Sequence, residues 1–125
     1  MSRFVLLKHT LPDDSSRATH WDFMLEQEGQ LRTWALDAEP QDGLSIQAAA
    51  LDDHRIAYLE YEGEVSGGRG SVARCDRGTY QILQIAADRL EVALSGERLR
   101  GRVTLTQEDQ RWRFVFAADA ALVGG

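Results

Sequence analysis

The segment from His20 to Glu26, HWDFMLE, alternates between polar and apolar residues. A period of two is typical of a β-strand that has one face in a core. The face predicted to be buried consists of Trp21, Phe23 and Leu25, and the opposite face consists of His20, Asp22, Met24 and Glu26. A histidine and an aspartate two residues apart on one face can reach the same metal ion. The alternative is an ordinary half-buried strand in which this pair occurs by chance.

Similar short apolar patterns, separated by turn-forming residues, continue along the whole chain. Strands are predicted over 3–9, 20–28, 31–36, 44–51, 71–75, 79–85, 89–94, 99–106 and 112–117. The alanine-rich segment 44–51 fits a helix as well, but its neighbours favour a strand. A short helix is predicted over 53–60, a flexible glycine-rich loop over 63–70, and turns over 76–78 and 95–97. Many short strands at close spacing predict a mostly-β fold, either a barrel or a sandwich.

The composition fits one domain over residues 1–125. The single cysteine, Cys75, excludes an internal disulfide and a multi-cysteine zinc site, and it indicates a reducing compartment. The chain has neither a membrane-spanning apolar run nor a signal-peptide pattern, so a cytoplasmic protein that does not enter a membrane is expected. The net charge of −6 argues against a large nucleic-acid footprint and leaves room for a small phosphate site.

The histidines suggest a metal site. The chain has three, namely His9, His20 and His54. If the first two strands form an antiparallel hairpin, His9 and His20 come close together, and Asp22 lies one pleat further along. Two imidazoles and a carboxylate suit Mn, Fe or Zn, and we expect Mn²⁺ or Zn²⁺ here. The alternative for His9 is a surface histidine at a strand end.

His54 and Tyr58 form a second candidate pair. On a helical turn, residues four apart share a face. A histidine and a tyrosine on one face can bind a phosphate oxygen or donate a proton. The alternative is a surface histidine that follows two aspartates.

Four segments of the chain match, in order, the motifs of one known family. They are His9, Arg17, His20-Trp21-Asp22-Phe23-Met24-Leu25-Glu26 and Trp34-Ala35; Asp53-His54-Arg55-Ile56-Ala57-Tyr58 with Tyr61-Glu62-Gly63; Cys75-Asp76-Arg77-Gly78-Thr79; and Leu94-Ser95-Gly96-Glu97-Arg98-Leu99-Arg100-Gly101. The chain thereby resembles, over nearly its whole length, the 3′-phosphoesterase domain at the N-terminus of bacterial DNA ligase D.

The resemblance implies a compact single-domain β-barrel with short helical segments and an active-site groove on its outer surface. It implies a manganese ion held by His9, His20 and Asp22, and roles in phosphate binding and catalysis for His54 and Tyr58. Arg17 is a candidate phosphate contact. Members of the family remove a 3′-terminal ribonucleotide and then the remaining 3′-phosphate. The expected function is therefore metal-dependent phosphoesterase action in DNA repair, on a nucleic-acid 3′ end or a smaller phosphoester, with a DNA ligase or end-joining proteins as candidate partners.

Departures from the family pattern favour a second hypothesis. The family has an arginine where this chain has Met24, and methionine cannot pair with a phosphate through two hydrogen bonds. The family's Pro-Lys-Gly after the Trp-Ala strand is replaced by Asp37-Ala38-Glu39-Pro40. The alternative function is a non-catalytic binding module with the same fold, which keeps the metal site but lacks part of the phosphate-binding set.

Overall fold

The computed structural model describes residues 2–16 and 18–119. Within them, nine β-strands and one 3-10 helix form. The strands are β1 (Arg3–Thr10), β2 (His20–Gln27), β3 (Gln30–Leu36), β4 (Ser45–Arg55), β5 (Gly63–Glu64), β6 (Ser71–Ala86), β7 (Arg89–Gly96), β8 (Arg100–Glu108) and β9 (Arg111–Ala118). The 3-10 helix spans Ile56–Leu59 and directly follows β4. The predicted mostly-β fold with short helical structure is confirmed.

The strands form one antiparallel sheet that closes into a ring. Its order is β1-β2-β3-β4-β9-β8-β7-β6, and pairing between β1 and β6 closes it, while the short β5 pairs with the first two residues of β6. The closing register runs from Arg3 opposite Thr79 to Thr10 opposite Ser71. A closed sheet has few unpaired edges, which stabilises an all-β domain of this size. The predicted barrel-like architecture is therefore present.

The main core lies on the inner face of this ring. Each of the eight ring strands contributes a buried apolar side chain, for example Phe4, Phe23, Trp34, Ile46, Tyr80, Leu90, Val103 and Phe114. Phe23 and Leu25 are fully buried, as the alternation in β2 predicts. Trp21 is only partly buried, although it packs against the same cluster.

A second apolar cluster covers part of the outer face, close to the candidate site. Its members come from β1, β2, β3, β6, the 3-10 helix and the residue after β5, and they are Val5, Leu7, Met24, Leu31, Val72, Leu59 and Val65. The 3-10 helix and the β5 segment exclude water from this patch. Strand β2 is consequently buried on both faces, and Met24 is only 1% exposed.

The turn predicted over 76–78 is wrong, because β6 continues through it without interruption. Gly78 is required there by close packing, since a Cβ at this position would lie 2.1 Å from the Ser95 carbonyl oxygen. Asp76 is buried, and its carboxylate accepts hydrogen bonds from the backbone N–H groups of Glu97, Arg98 and Leu99 at 3.0, 3.1 and 2.7 Å. Two segments that match the family separately in sequence therefore form one structural unit.

Smaller corrections concern the segments next to the site. The helix predicted over 53–60 is shorter than expected, because β4 continues to Arg55, where Gln30 and Leu31 of β3 pair with Arg55 and His54. The predicted loop over 63–70 begins with β5, and the Val65 N–H donates to the Gly70 carbonyl. The turn predicted over 95–97 lies two residues later, since β7 extends to Gly96. Among the described residues, no helix has the length and apolar character needed to cross a membrane.

Candidate active site

The pairing of β1 with β2 brings the three predicted metal ligands together. His9 lies opposite His20 in the antiparallel register, and the two imidazole centroids are 4.9 Å apart. Asp22 Oδ2 is 3.5 Å from His9 Nδ1, and Asp22 Oδ1 is 3.0 Å from His20 Nε2. One potential ligand atom from each residue lies within 4.8 Å of the other two. The three side chains thus converge on a volume of the size that a single ion occupies.

Backbone carbonyls determine which ring nitrogens face this volume. His9 Nε2 is 2.7 Å from the Arg69 carbonyl oxygen, and His20 Nδ1 is 3.0 Å from the Ala18 carbonyl oxygen. A carbonyl only accepts, so these two nitrogens have the protons. In the neutral rings the lone pairs are then on His9 Nδ1 and His20 Nε2, the two atoms nearest Asp22. A hydrogen bond from the distal nitrogen to a carbonyl is the usual way in which proteins orient a metal-binding histidine.

Asp22 is a buried carboxylate next to these two imidazoles. It is 2% exposed, and its Oδ1 atom accepts no hydrogen bond from any part of the chain that the structure describes. Burial raises the pKa of Asp22, but the His20 and His9 imidazoles, once protonated, lower it by more through their N–H groups and positive charge, so the pKa is below its ordinary value. A buried anion requires a compensating cation. Two nitrogen donors and one carboxylate oxygen fit a divalent transition metal in this role.

A groove of about 430 Å³ connects this cluster with the second predicted pair. His9, Asp22 and Met24 line it, together with His54 at the end of β4 and Tyr58 in the 3-10 helix. The rings of His54 and Tyr58 meet edge to face, with centroids 5.8 Å apart. The predicted pair is therefore in contact, although a strand end followed by a 3-10 turn, and not an α-helical spacing, produces the contact.

The backbone also orients His54. Its Nδ1 lies 2.9 Å from the Asp52 carbonyl oxygen, so Nδ1 has the proton in the neutral ring and Nε2 is the nitrogen that can exchange one. Asp52 and Asp53 line the groove as well and add negative charge to it.

Sequence reasoning did not identify two arginines that line the groove, Arg55 and Arg69. Arg55 directly follows the candidate residue His54, and this adjacency could have identified it from the sequence. Arg69 lies in the glycine-rich segment, where its Nε donates to the Ser66 carbonyl at 2.7 Å. The predicted phosphate contact Arg17 lies outside the described residues.

Comparisons with known proteins identify the family of this chain. Residues 12–107 match the model of the DNA ligase D 3′-phosphoesterase domain family. The chain is 33% identical over 132 aligned positions to the multifunctional non-homologous end joining protein LigD of Pseudomonas aeruginosa, an alignment that covers 94% of this chain and 15% of that protein. It is 32% identical over 119 positions to the protein of the same name from Mycobacterium bovis, covering 87% of this chain and 15% of the relative.

The multifunctional non-homologous end joining DNA repair protein LigD of Mycobacterium tuberculosis matches to the same extent, with 32% identity over 119 positions, 87% of this chain and 15% of the relative. The chain thus spans about 15% of the length of each of these relatives. The match to the family model covers most of the chain and includes His20, Asp22, His54 and Tyr58. The chain belongs to the DNA ligase D 3′-phosphoesterase domain family.

Proposed function

We propose that this protein is a metal-dependent phosphoesterase that acts on 3′-phosphate or 3′-ribonucleotide ends during DNA repair by end joining. The observation that supports this most strongly is the shared groove, which is lined by His9 and Asp22 of the three-residue cluster and by the His54–Tyr58 pair, while His20 lies behind it as the third member of the cluster. The description of the family and the names of the end-joining relatives support this substrate class. A DNA ligase and other end-joining proteins are the corresponding candidate partners.

In this proposal, His9 Nδ1, His20 Nε2 and an Asp22 oxygen hold Mn²⁺ or Zn²⁺. A bound divalent ion supplies Lewis acidity, which polarises the phosphoryl oxygens and neutralises the charge that develops on them. The Arg69 and Ala18 carbonyls keep the two imidazoles in the tautomers that ligation requires. A loop residue 60 positions away in sequence from His9 therefore helps to hold the first ligand.

His54 and Tyr58 act on the leaving and non-bridging oxygens. As water adds to phosphorus and the bond to the 3′-oxygen breaks, His54 donates a proton to that oxygen, which leaves as a 3′-hydroxyl group. The products from a 3′-phosphate end are a 3′-hydroxyl end and inorganic phosphate. Tyr58, whose ring contacts His54, donates a hydrogen bond from its hydroxyl group to the phosphate.

The charge of the groove links phosphate binding to the metal. Among the described residues that line it, Asp22, Asp52 and Asp53 are acidic, while Arg55 and Arg69 provide the guanidinium groups. The carboxylates outnumber the guanidinium groups, so the groove disfavours an anion until a divalent cation is bound. We expect phosphate affinity to depend on Mn²⁺, with the reciprocal effect of phosphate on Mn²⁺ affinity.

The alternative function is a binding module that recognises an end without turnover. One observation favours it, namely that Met24, which lines the groove where the family has an arginine, provides no charge for a phosphate. In this case the metal and the end still bind, but the phosphate is not released.

The deciding experiment uses primer–templates that end in a 3′-phosphate or in one 3′-ribonucleotide, with and without Mn²⁺. The phosphoesterase predicts Mn²⁺-dependent phosphate release that falls by about 10²- to 10⁴-fold in His54→Ala, because general acid catalysis contributes about that factor. Arg111→Gln is the matched control, since Arg111 is exposed on β9 and does not line the groove. Absence of release from a protein that still binds Mn²⁺ would establish the binding module instead.

A further inference from the structure

A second depression adjoins the groove at the candidate active site. It has a volume of about 290 Å³, and it shares Arg55, Tyr58 and Val65 with the groove. Tyr61 and Glu64 also line the depression. A ligand whose phosphate lies in the groove can therefore place its adjoining group in this depression, because the two spaces are in direct contact.

An exposed and firmly held aromatic ring forms one wall of the depression. Tyr61 is 40% exposed, and its ring meets Tyr58 edge to face with centroids 5.8 Å apart and an interplanar angle of 90°. Its hydroxyl group donates to the Glu64 carbonyl, so the ring is fixed at both ends. A rigid aromatic face that is open to solvent is suited to stacking with another planar group.

Arg55 lies at the boundary between the two spaces. It is exposed, and its guanidinium group makes no hydrogen bond or ion pair with any residue in the described part of the chain, although its backbone pairs with Gln30. An arginine with free donors can bind a phosphate oxygen through two hydrogen bonds.

We propose that the depression is a nucleobase subsite, in which the base stacks on Tyr61 while Arg55 binds the phosphate in the adjoining groove. Glu64 favours a base over a second phosphate there, because a carboxylate repels phosphate and accepts a hydrogen bond from a base amino group. The substrate class is then a nucleotide terminus and not a small phosphoester. The inference rests on the proposed function in one respect, namely that the phosphate lies beside the metal cluster.

The test compares two probes, inorganic phosphate and adenosine 3′-monophosphate, by calorimetric titration of the Mn²⁺-loaded protein. The wild type is expected to bind the nucleotide about tenfold more tightly than phosphate, within the range that base stacking on an aromatic side chain provides. Tyr61→Leu is expected to remove this preference while keeping the affinity for phosphate. Tyr61→Phe, which keeps the ring, is expected to retain the preference.

Arg55 is tested with the same two probes. Arg55→Gln is expected to weaken both by a similar factor, about tenfold, because both have the phosphate that it binds. Arg111→Gln is expected to change neither. Circular dichroism melts of each variant test whether the fold is intact. We expect it to be intact, because both Arg55 and Tyr61 are exposed.

Two results would overturn the inference. One is a nucleotide preference that persists in Tyr61→Leu, and the other is a preference that Tyr61→Phe loses to the same extent as Tyr61→Leu. The titrations do not require turnover, so the two proposals can fail separately. An inactive wild type that shows the Tyr61-dependent preference contradicts the phosphoesterase alone, and an active wild type without that preference contradicts the nucleobase subsite alone.

Discussion

At the residue scale, the candidate metal site depends on how each donor atom is held. His9 and His20 each donate one ring N–H to a backbone carbonyl and present the other nitrogen to Asp22. Asp22 is buried and ionised between them. The site has three protein ligands, and two of them are histidines of fixed tautomer. With so few ligands, we expect the loss of one to abolish metal binding.

We predict that His20→Ala abolishes binding of Mn²⁺ or Zn²⁺, measured by calorimetry. The affinity is expected to fall by more than about a hundredfold, since changes to residues that merely support a ligand already cost ten- to a hundredfold. His54→Ala is the control, because His54 lines the same groove outside the three-residue cluster. Equal affinities for wild type and His20→Ala would contradict the metal assignment.

Met24 stands where the resemblance to the family implies an arginine. Its side chain packs in the outer apolar cluster and also borders the groove. We predict that Met24→Arg increases the affinity of the Mn²⁺-loaded protein for phosphate by about tenfold, because a guanidinium group there forms two hydrogen bonds with it. The same change is expected to lower the free energy of unfolding by about 1–3 kcal/mol, since a larger, charged side chain enters a packed cluster.

Met24→Leu separates these two effects. It conserves volume and adds no charge, so it is expected to change stability by less than about 1.5 kcal/mol and phosphate affinity not at all. If Met24→Arg bound phosphate no more tightly than Met24→Leu, an arginine at this position would not be needed for phosphate binding. Arg55 and Arg69 would then be sufficient to bind the phosphate.

At the scale of elements, the connection between β7 and β8 depends on a residue of β6. The Asp76 carboxylate accepts hydrogen bonds from the backbone N–H groups of Glu97, Arg98 and Leu99. Gly96, which has no side chain, leaves space for this carboxylate. A Cβ at Gly96 would lie 2.4 Å from Asp76 Oδ2. The Cys75–Thr79 and Leu94–Gly101 segments are thus coupled by packing and hydrogen bonds.

We predict that Asp76→Ala lowers the free energy of unfolding by about 2–4 kcal/mol in urea titrations. Hydrogen bonds to a charged group contribute about 1.5–3 kcal/mol each, and their removal leaves partly buried N–H groups without the carboxylate that accepts from them. Asp76→Asn keeps one acceptor oxygen and is expected to cost less. A loss below about 0.5 kcal/mol in Asp76→Ala would mean that water replaces the carboxylate at this turn.

At the scale of the whole molecule, Phe23 joins strands that are distant in the sequence. Its ring contacts Phe4 of β1, Trp34 of β3 and Phe114 of β9, with centroids 6.2, 6.4 and 5.2 Å away. The residue is fully buried within the ring of strands and lies next to Asp22 in β2. The inner core and the metal site are therefore built on alternate residues of the same strand.

We predict that Phe23→Ala costs about 3–5 kcal/mol of unfolding free energy, because it leaves a cavity at a junction of several strands. Denaturant melts measure this directly. Ile82→Ala is the comparison, since Ile82 is 42% exposed on β6 and is expected to cost much less. A loss of less than about 1 kcal/mol in Phe23→Ala would show that the inner core does not depend on this face of β2.

The sequence by itself determined the features that follow from local periodicity. Alternation in β2 was sufficient to place Phe23 and Leu25 inside and to place His20 with Asp22 on the other face. A hairpin between the first two strands was sufficient to bring His9 opposite His20, because antiparallel pairing across a single loop fixes which residues meet. The single cysteine likewise excluded a disulfide from composition alone.

Only the tertiary structure decided the contacts between positions that are distant in the chain. The Arg69 carbonyl reaches His9 from 60 residues away, and the Asp76 carboxylate reaches the β7–β8 turn from more than 20 residues away. The same holds for Met24, which is buried because a 3-10 helix and β5 fold over its strand. Local patterns report which face of a strand is apolar, whereas the closure of the ring determines what covers that face and which distant groups meet there.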